Sequence, residues 1–483
     1  EIGQGARDFV DAMARMRLSV WQFLPLGPTA YGDSPYQPLS TFAGNEMLID
    51  VRDLIEKGFL TAEEAEPLSR LPEDHVDYGA LIPIKSRLLR IAASRFEEQA
   101  GDALRAACDD FVAEHDGAWL HDYALYRILK AQHGEKPWPD WDPKYVHRDA
   151  TALSELEECA SAEIADIKVL QFLFHHQWRE LRDYAHRRGI RLFGDMPIYI
   201  ALDSADAWAR PDILMIDRDG HPEAVAGVPP DYFSEDGQLW GNPLYDWEGH
   251  ARNQYSWWVD RMRSATELAD IVRIDHFRGF EAYWSVPADA ATARNGAWVS
   301  GPGDSLFEAM RDALGNLPIV AENLGVITPD VEALRERHDM PGMVVLQFDV
   351  ADEDFELYSV EENCVVYTGT HDNDTTVGWF RGSPGDIRPA DEIEATREAA
   401  LQITGGTPET IHDDMIRAAF STDARLAIAP LQDYLGLGSE ARINVPGTTG
   451  NNWRWRVRVG QLSDEFCAHV AGLVSESGRA LQN

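Results

Sequence analysis

The chain has 483 residues, 44% of them apolar and 10% aromatic, which is enough for a sizeable core and excludes global disorder. Acidic residues number 82 against 43 basic ones, a formal charge of −39, so nucleic acid and anionic membranes are excluded as partners. The acids are spread along the chain and lysine ends at Lys168, which describes a solvated surface suited to high salt rather than an acidic tail.

No apolar run approaches a membrane span, and residues Glu1 to Gly5 do not resemble a signal peptide. Cys108, Cys159, Cys364 and Cys467 are too far apart for a Cys-x-x-Cys site, so a reducing, cytoplasmic setting is expected.

In chain order, Phe9, Val10, Met13 and Met16 recur at helical spacing and predict an amphipathic helix over 6–16. Leu18–Leu26 predicts a buried strand ending at Gly27-Pro28, and a loop with Tyr31, Ser34 and Tyr36 follows. Met47–Val51 is expected to be a second short strand. Residues 53–150 form a mostly helical insertion, closed by the proline- and tryptophan-rich run 136–143. Five strands are then expected at Arg191–Ile200, Ile271–Asp275, Leu317–Ala321, Met343–Phe348 and Val365–Thr368, with an eighth at Arg442–Val445. Helical patterns such as Glu308–Leu314, Val331–Arg337 and Glu392–Leu401 lie between them, and Leu462–Leu473 closes the chain. Strand–helix alternation of this kind predicts an α/β fold, a (β/α)8 barrel with helical insertions, in a single catalytic domain over 1–483. Residues 201–260 are assigned to a lid or loop insertion after the third strand.

The stretch Ile271-Val272-Arg273-Ile274-Asp275 carries the chemistry. Alternation puts Ile271, Arg273 and Asp275 on one face, and a guanidinium beside a carboxyl favours the ionised form. Two more strands end in acids, Glu322 in Ala321-Glu322-Asn323 and Asp372 in Thr370-His371-Asp372-Asn373. At the mouth of a barrel three converging carboxyls fit an oxygen-ligand metal site, or glycoside cleavage through an oxocarbenium-like transition state. The second chemistry needs one ionised acid and one protonated acid. Arg273 beside Asp275, and no cation adjacent to Glu322 in sequence, favour it.

The runs SVWQFLPLGPTAYGDSPYQ, FGDMPIYIALDSADAW, PPDYFSEDGQLWGNPLY, VRIDHFRGF, IVAENLG, YTGTHDNDTT and RINVPGT resemble, in this order over nearly the whole chain, the 4-α-glucanotransferases or amylomaltases. The resemblance implies a retaining double displacement on α-1,4-glucans. Asp275 would be the nucleophile, Glu322 the acid/base, and Asp372 the carboxylate bonded to the 2- and 3-hydroxyls of the reacting sugar. Arg273 would keep Asp275 ionised, with His371 and Asp195 as further sugar contacts. It also implies sugar contacts from Tyr31, Ser34 and Tyr36, an aromatic lid of Tyr232 and Phe233, and donor-chain contacts from Gln238 and Trp240. No metal and no organic cofactor are implied, and the partners would be maltooligosaccharides and soluble α-1,4-glucans. An α-amylase-like hydrolase, a non-catalytic glucan-binding barrel and a metal-dependent barrel enzyme are the alternatives.

Overall fold

Ile271–Asp275 forms the expected strand, and its two faces are used differently. Ile271 packs into the barrel interior while Val272 and Ile274 pack outward against helices, so Arg273 and Asp275 belong to the inner face. The computed structural model describes residues 1–480 except 231–234, 353, 384–385 and 387, and leaves out the Tyr31 side chain. Its strands in chain order are β1 (Val20–Gln22), β2 (Arg191–Pro197), β3 (Ala224–Val228), β4 (Gln238–Pro243), β5 (Ile271–Asp275), β6 (Ala282–Pro287), β7 (Ala297–Ser300), β8 (Ile319–Ala321), β9 (Gly342–Val345), β10 (Cys364–Tyr367) and β11 (Leu426–Ile428).

Two parallel sheets, β1-β2-β5-β8 and β9-β10-β11, make the wall of the barrel. They join where the Ala321 N–H donates to the Pro341 carbonyl at 2.8 Å and the Met343 N–H to Asn323 Oδ1 at 2.7 Å. Val20, Phe193, Ile271, Val320, Val345, Val365 and Ile428, one residue from each strand, share a single interior cluster. Curling a parallel sheet so that every strand contributes to one inner core gives an α/β barrel of the TIM class. Between β11 and β1, whose facing edges carry no ladder partner among the described residues, lies a cleft of about 730 Å3 with largely apolar walls.

Several strand boundaries differ from the sequence-based expectation. Met47–Val51 is not a strand. Asn45 accepts the Met47 N–H at 2.9 Å and caps a 3-10 turn, and Asp50 then caps the helix Val51–Glu56, so two polar caps outweigh the apolar run Met47-Leu48-Ile49 between them. Met343–Phe348 is extended only to Val345, after which Leu346–Asp349 turns helical. Arg442–Val445 has no ladder partner among the described residues, and the missing barrel strand is instead Leu426–Ile428, three residues that pair with β10. A run that short carries no periodic signal of its own.

Between β1 and β2 the chain passes through the helices Tyr78–Gln99, Asp102–His115, His121–Gln132 and Ser161–His186. Trp138 and Trp141 are buried there, and the Trp138 indole donates to the Leu202 carbonyl at 2.7 Å, which ties this region to the segment after β2. The remaining strands form an antiparallel sheet in the order β4-β3-β6-β7. It is built from the segment after β2 and the segment after β5, so it stands where both barrel strands end.

Candidate active site

The register of the barrel brings the expected residues together. Asp195 on β2 pairs across to Arg273 on β5, Arg273 pairs to Val320 on β8, and Ile274 pairs to Ala321. Asp275 ends β5 and Glu322 is the first residue after β8, and the Glu322 N–H donates to the Ile274 carbonyl at 3.0 Å. Neighbouring strands lie ~4.8 Å apart, so both carboxyls rise from one corner of the mouth.

Arg273 is only 5% exposed and sits between two carboxylates. Its Nη1 donates to Asp195 Oδ2 at 2.6 Å and its Nη2 to Asp275 Oδ1 at 2.8 Å. Burial opposes the guanidinium charge, but Asp195 and Asp275 outweigh it and hold Arg273 well above the ordinary arginine range. Burial also pushes the Asp195 carboxyl up, with Arg273 pulling against it. Asp195 Oδ1 is buried and has no protein partner among the described residues.

Glu322 is 8% exposed, and burial pushes its carboxyl up from the ordinary 4.5 to about 7. Arg273 opposes that rise from the neighbouring strand although it is distant in sequence, and the Asp275 charge reinforces it. The carboxyl is oriented by two backbone donors, His276 N–H to Oε2 at 2.6 Å and Leu324 N–H to Oε1 at 2.9 Å. A carboxyl that keeps its proton near neutral pH thus stands beside one ion-paired to a guanidinium. That is the division of labour a general acid and an anionic nucleophile require.

Asp372 follows β10 and is half exposed. Asn444 Nδ2 donates to its Oδ1 at 2.6 Å, and Arg442 Nη2 donates to its carbonyl at 2.7 Å. The segment expected to be a last strand therefore acts as a brace for the third carboxylate. His371 Nε2 lies 3.4 Å from Asp372 Oδ1. Tyr36 reaches the same place from the early loop: its hydroxyl donates to Asp195 Oδ2 at 2.7 Å and its ring stacks on His371 at 5.0 Å. Ser34 Oγ accepts the Tyr36 N–H at 3.2 Å and shapes the loop.

On β4, the Trp240 indole donates to Gln238 Oε1 at 3.1 Å and its ring meets the His276 ring edge-on at 4.7 Å. Nothing in the sequence distinguishes His276 as a site residue. Its φ of 54° turns the chain sharply after the nucleophile candidate, which lets its N–H reach Glu322, and burial lowers its imidazole to about 4, so it stays neutral. Asn444 lies within the run RINVPGT, and only the tertiary contact to Asp372 gives it a role. Tyr232 and Phe233 lie outside the described residues, as does the Tyr31 side chain. Among the described residues no group of three His, Cys, Asp or Glu is arranged to hold a metal ion.

Barrel and site together place two carboxyls, one ion-paired and one raised, at the C-terminal ends of adjoining parallel strands, the class of arrangement that suits a glycoside-cleaving barrel enzyme. Residues 1–462 match the family model of the 4-alpha-glucanotransferases, glycoside hydrolase family 77, and the chain belongs to that family. It is 45% identical over 485 residues to a 4-alpha-glucanotransferase of Thermus thermophilus, covering 99% of this chain and 95% of that one. With the chloroplastic/amyloplastic 4-alpha-glucanotransferase of Solanum tuberosum it shares 41% over 482 residues, covering 98% and 82%. Among solved structures, the amylomaltase of Streptococcus agalactiae in complex with acarbose superposes with a TM-score of 0.93 at 35% identity, covering 99% of this chain and 96% of that one.

Proposed function

We propose that the protein is a 4-α-glucanotransferase that moves α-1,4-glucan segments between maltooligosaccharides through a covalent glucosyl-enzyme. Asp275 attacks the anomeric carbon while Glu322 protonates the leaving oxygen. The acceptor 4-hydroxyl then loses its proton to Glu322 and displaces Asp275, which restores the original anomeric configuration. Asp372 bonds the 2- and 3-hydroxyls of the reacting sugar. The unpartnered Asp195 Oδ1 and His371 are assigned to the same ring. Tyr232, Phe233, Gln238 and Trp240 are assigned to the lid and donor chain by their place in the family motif. The observation that carries the reading is the pairing of an ion-paired Asp275 with a Glu322 raised to about 7 on the adjoining strand. That the amylomaltase of similar structure was solved with acarbose supports a sugar chain as the ligand of this mouth.

A maltotriose time course followed by chromatography tests it. Glucose and a ladder of longer chains should form while total reducing ends stay nearly constant. A steady rise in reducing ends would favour the α-amylase-like hydrolase.

A cytoplasmic enzyme of a salt-rich cell fits the surface: no described helix is long and apolar enough to cross a membrane, and the formal charge is −39. Like charges repel most at low ionic strength, where the Debye length is ~30 Å at 0.01 M against ~3 Å at 1 M. Melting temperature should therefore climb as KCl is raised into the molar range, and a flat response would remove the salt-adapted reading.

A further inference from the structure

Trp453 lies beyond the last barrel strand with a φ of 62°, close to Asn451 at 61°, a backbone region that a bulky side chain rarely enters. The turn is held from several sides. The Trp453 N–H donates to the Ile443 carbonyl at 2.7 Å, and buried Asn452 accepts the Val445 N–H and donates to the Thr448 carbonyl, both at 3.1 Å. The remaining restraint comes from the helical region between β1 and β2. Tyr78, first residue of its helix, donates its hydroxyl to the Trp453 carbonyl at 2.7 Å, and the Val76 N–H donates to the Arg454 carbonyl at 2.7 Å. His75 and Trp455 form an antiparallel bridge beside them. A strained conformation persists only where its surroundings over-determine it, and these do.

The indole held this way leans on two side chains of the candidate site. Its ring centroid is 5.9 Å from those of both Tyr36 and His371, which themselves stack at 5.0 Å and 16°. Of these, Tyr36 grips Asp195 and His371 adjoins Asp372. We propose that Trp453 is a positioning residue: its indole, locked into a left-handed turn by the segment 75–78, sets the ring planes of His371 and Tyr36 around the reacting sugar. This rests on the assignment of that sugar to the mouth formed by Asp275, Glu322 and Asp372. Trp453 acts through its two neighbours. A displaced neighbour affects the transition state, where alignment matters most, more than ground-state binding.

Three variants test this in maltotriose disproportionation, with melting temperatures recorded alongside. Trp453→Ala should lower kcat by about 10- to 100-fold with KM near wild type, since misplacement by an ångström costs on that scale. Trp453→Phe should recover most of the loss, because a ring is restored. Tyr78→Phe keeps all three rings, removes one hydrogen bond and should lower kcat a few-fold. Wild-type kcat in Trp453→Ala, a loss confined to KM, or a phenylalanine variant no better than alanine would overturn the proposal. Should Trp453→Ala not fold, the other two decide, and wild-type kcat in both overturns it. Asp275→Asn is assayed beside them; turnover in that variant would instead overturn the assignment of the site.

Discussion

Asp275→Asn is expected to reduce maltotriose turnover by about 10³-fold or more while the barrel stays folded, since removing a group that forms the covalent intermediate costs on that scale. The side chain is partly exposed, and its loss does not strand Arg273, whose Nη1 keeps the 2.6 Å bond to Asp195. Circular dichroism and the melting temperature should therefore stay near wild type as kcat collapses. A further consequence is electrostatic. The Asp275 charge helps raise Glu322, and Arg273 pulls the other way. Without Asp275 the Glu322 carboxyl should titrate at lower pH, which carbon NMR of labelled glutamate would read directly. Near-wild-type turnover in the asparagine variant would remove Asp275 as nucleophile. An unmoved Glu322 titration would show that the two carboxyls are not neighbours in the electrostatic sense.

Glu322→Gln is expected to lower turnover by ~10²- to 10⁴-fold, the usual contribution of a positioned acid/base. In the wild type, turnover should fall as pH rises through about 7, because the leaving oxygen needs the protonated carboxyl. The glutamine variant should lack that alkaline limb. Stability carries a second signature. With a folded value raised from 4.5 to about 7, the protonated Glu322 stabilises the folded state fully below pH 4.5, and this is lost as pH rises to about 7. The amount is on the order of 3 kcal/mol, at ~1.4 kcal/mol for each pH unit across that window. Glutamine does not titrate, so its stability relative to wild type should increase from pH 4.5 to about 7 whatever its offset at low pH. Parallel denaturant series spanning those values would measure the difference. A constant gap would mean that Glu322 titrates as an ordinary exposed acid, and the acid/base assignment would fall with it.

The composition and the order of strands and helices were enough to specify a parallel barrel, because buried parallel strands declare themselves as short apolar runs with helical spacing between them. β5 is legible residue by residue: its alternation sends Ile271, Arg273 and Asp275 inward and Val272 and Ile274 outward, as the packing bears out. The acids that end β5, β8 and the loop after β10 were equally visible, since a carboxyl behind an apolar strand stands out by chemistry alone.

What only the tertiary structure decided was everything set by contact between distant segments. Met47–Val51 and Arg442–Val445 carry strand-like residues, yet caps at Asn45 and Asp50 override the first, and the second directs its side chains to Asp372. Leu426–Ile428 is a strand because β10 offers it an edge, and no local pattern announces it. Glu322 lacks a cation in its own sequence neighbourhood, but Arg273 reaches it from the neighbouring strand, and its raised carboxyl is the balance of burial and Asp275 against that guanidinium. The residue types and their periodicity were local properties and could be read from the chain. Proton affinity and strand partnership depend on what the fold places within a few ångströms, and a linear sequence does not contain that distance.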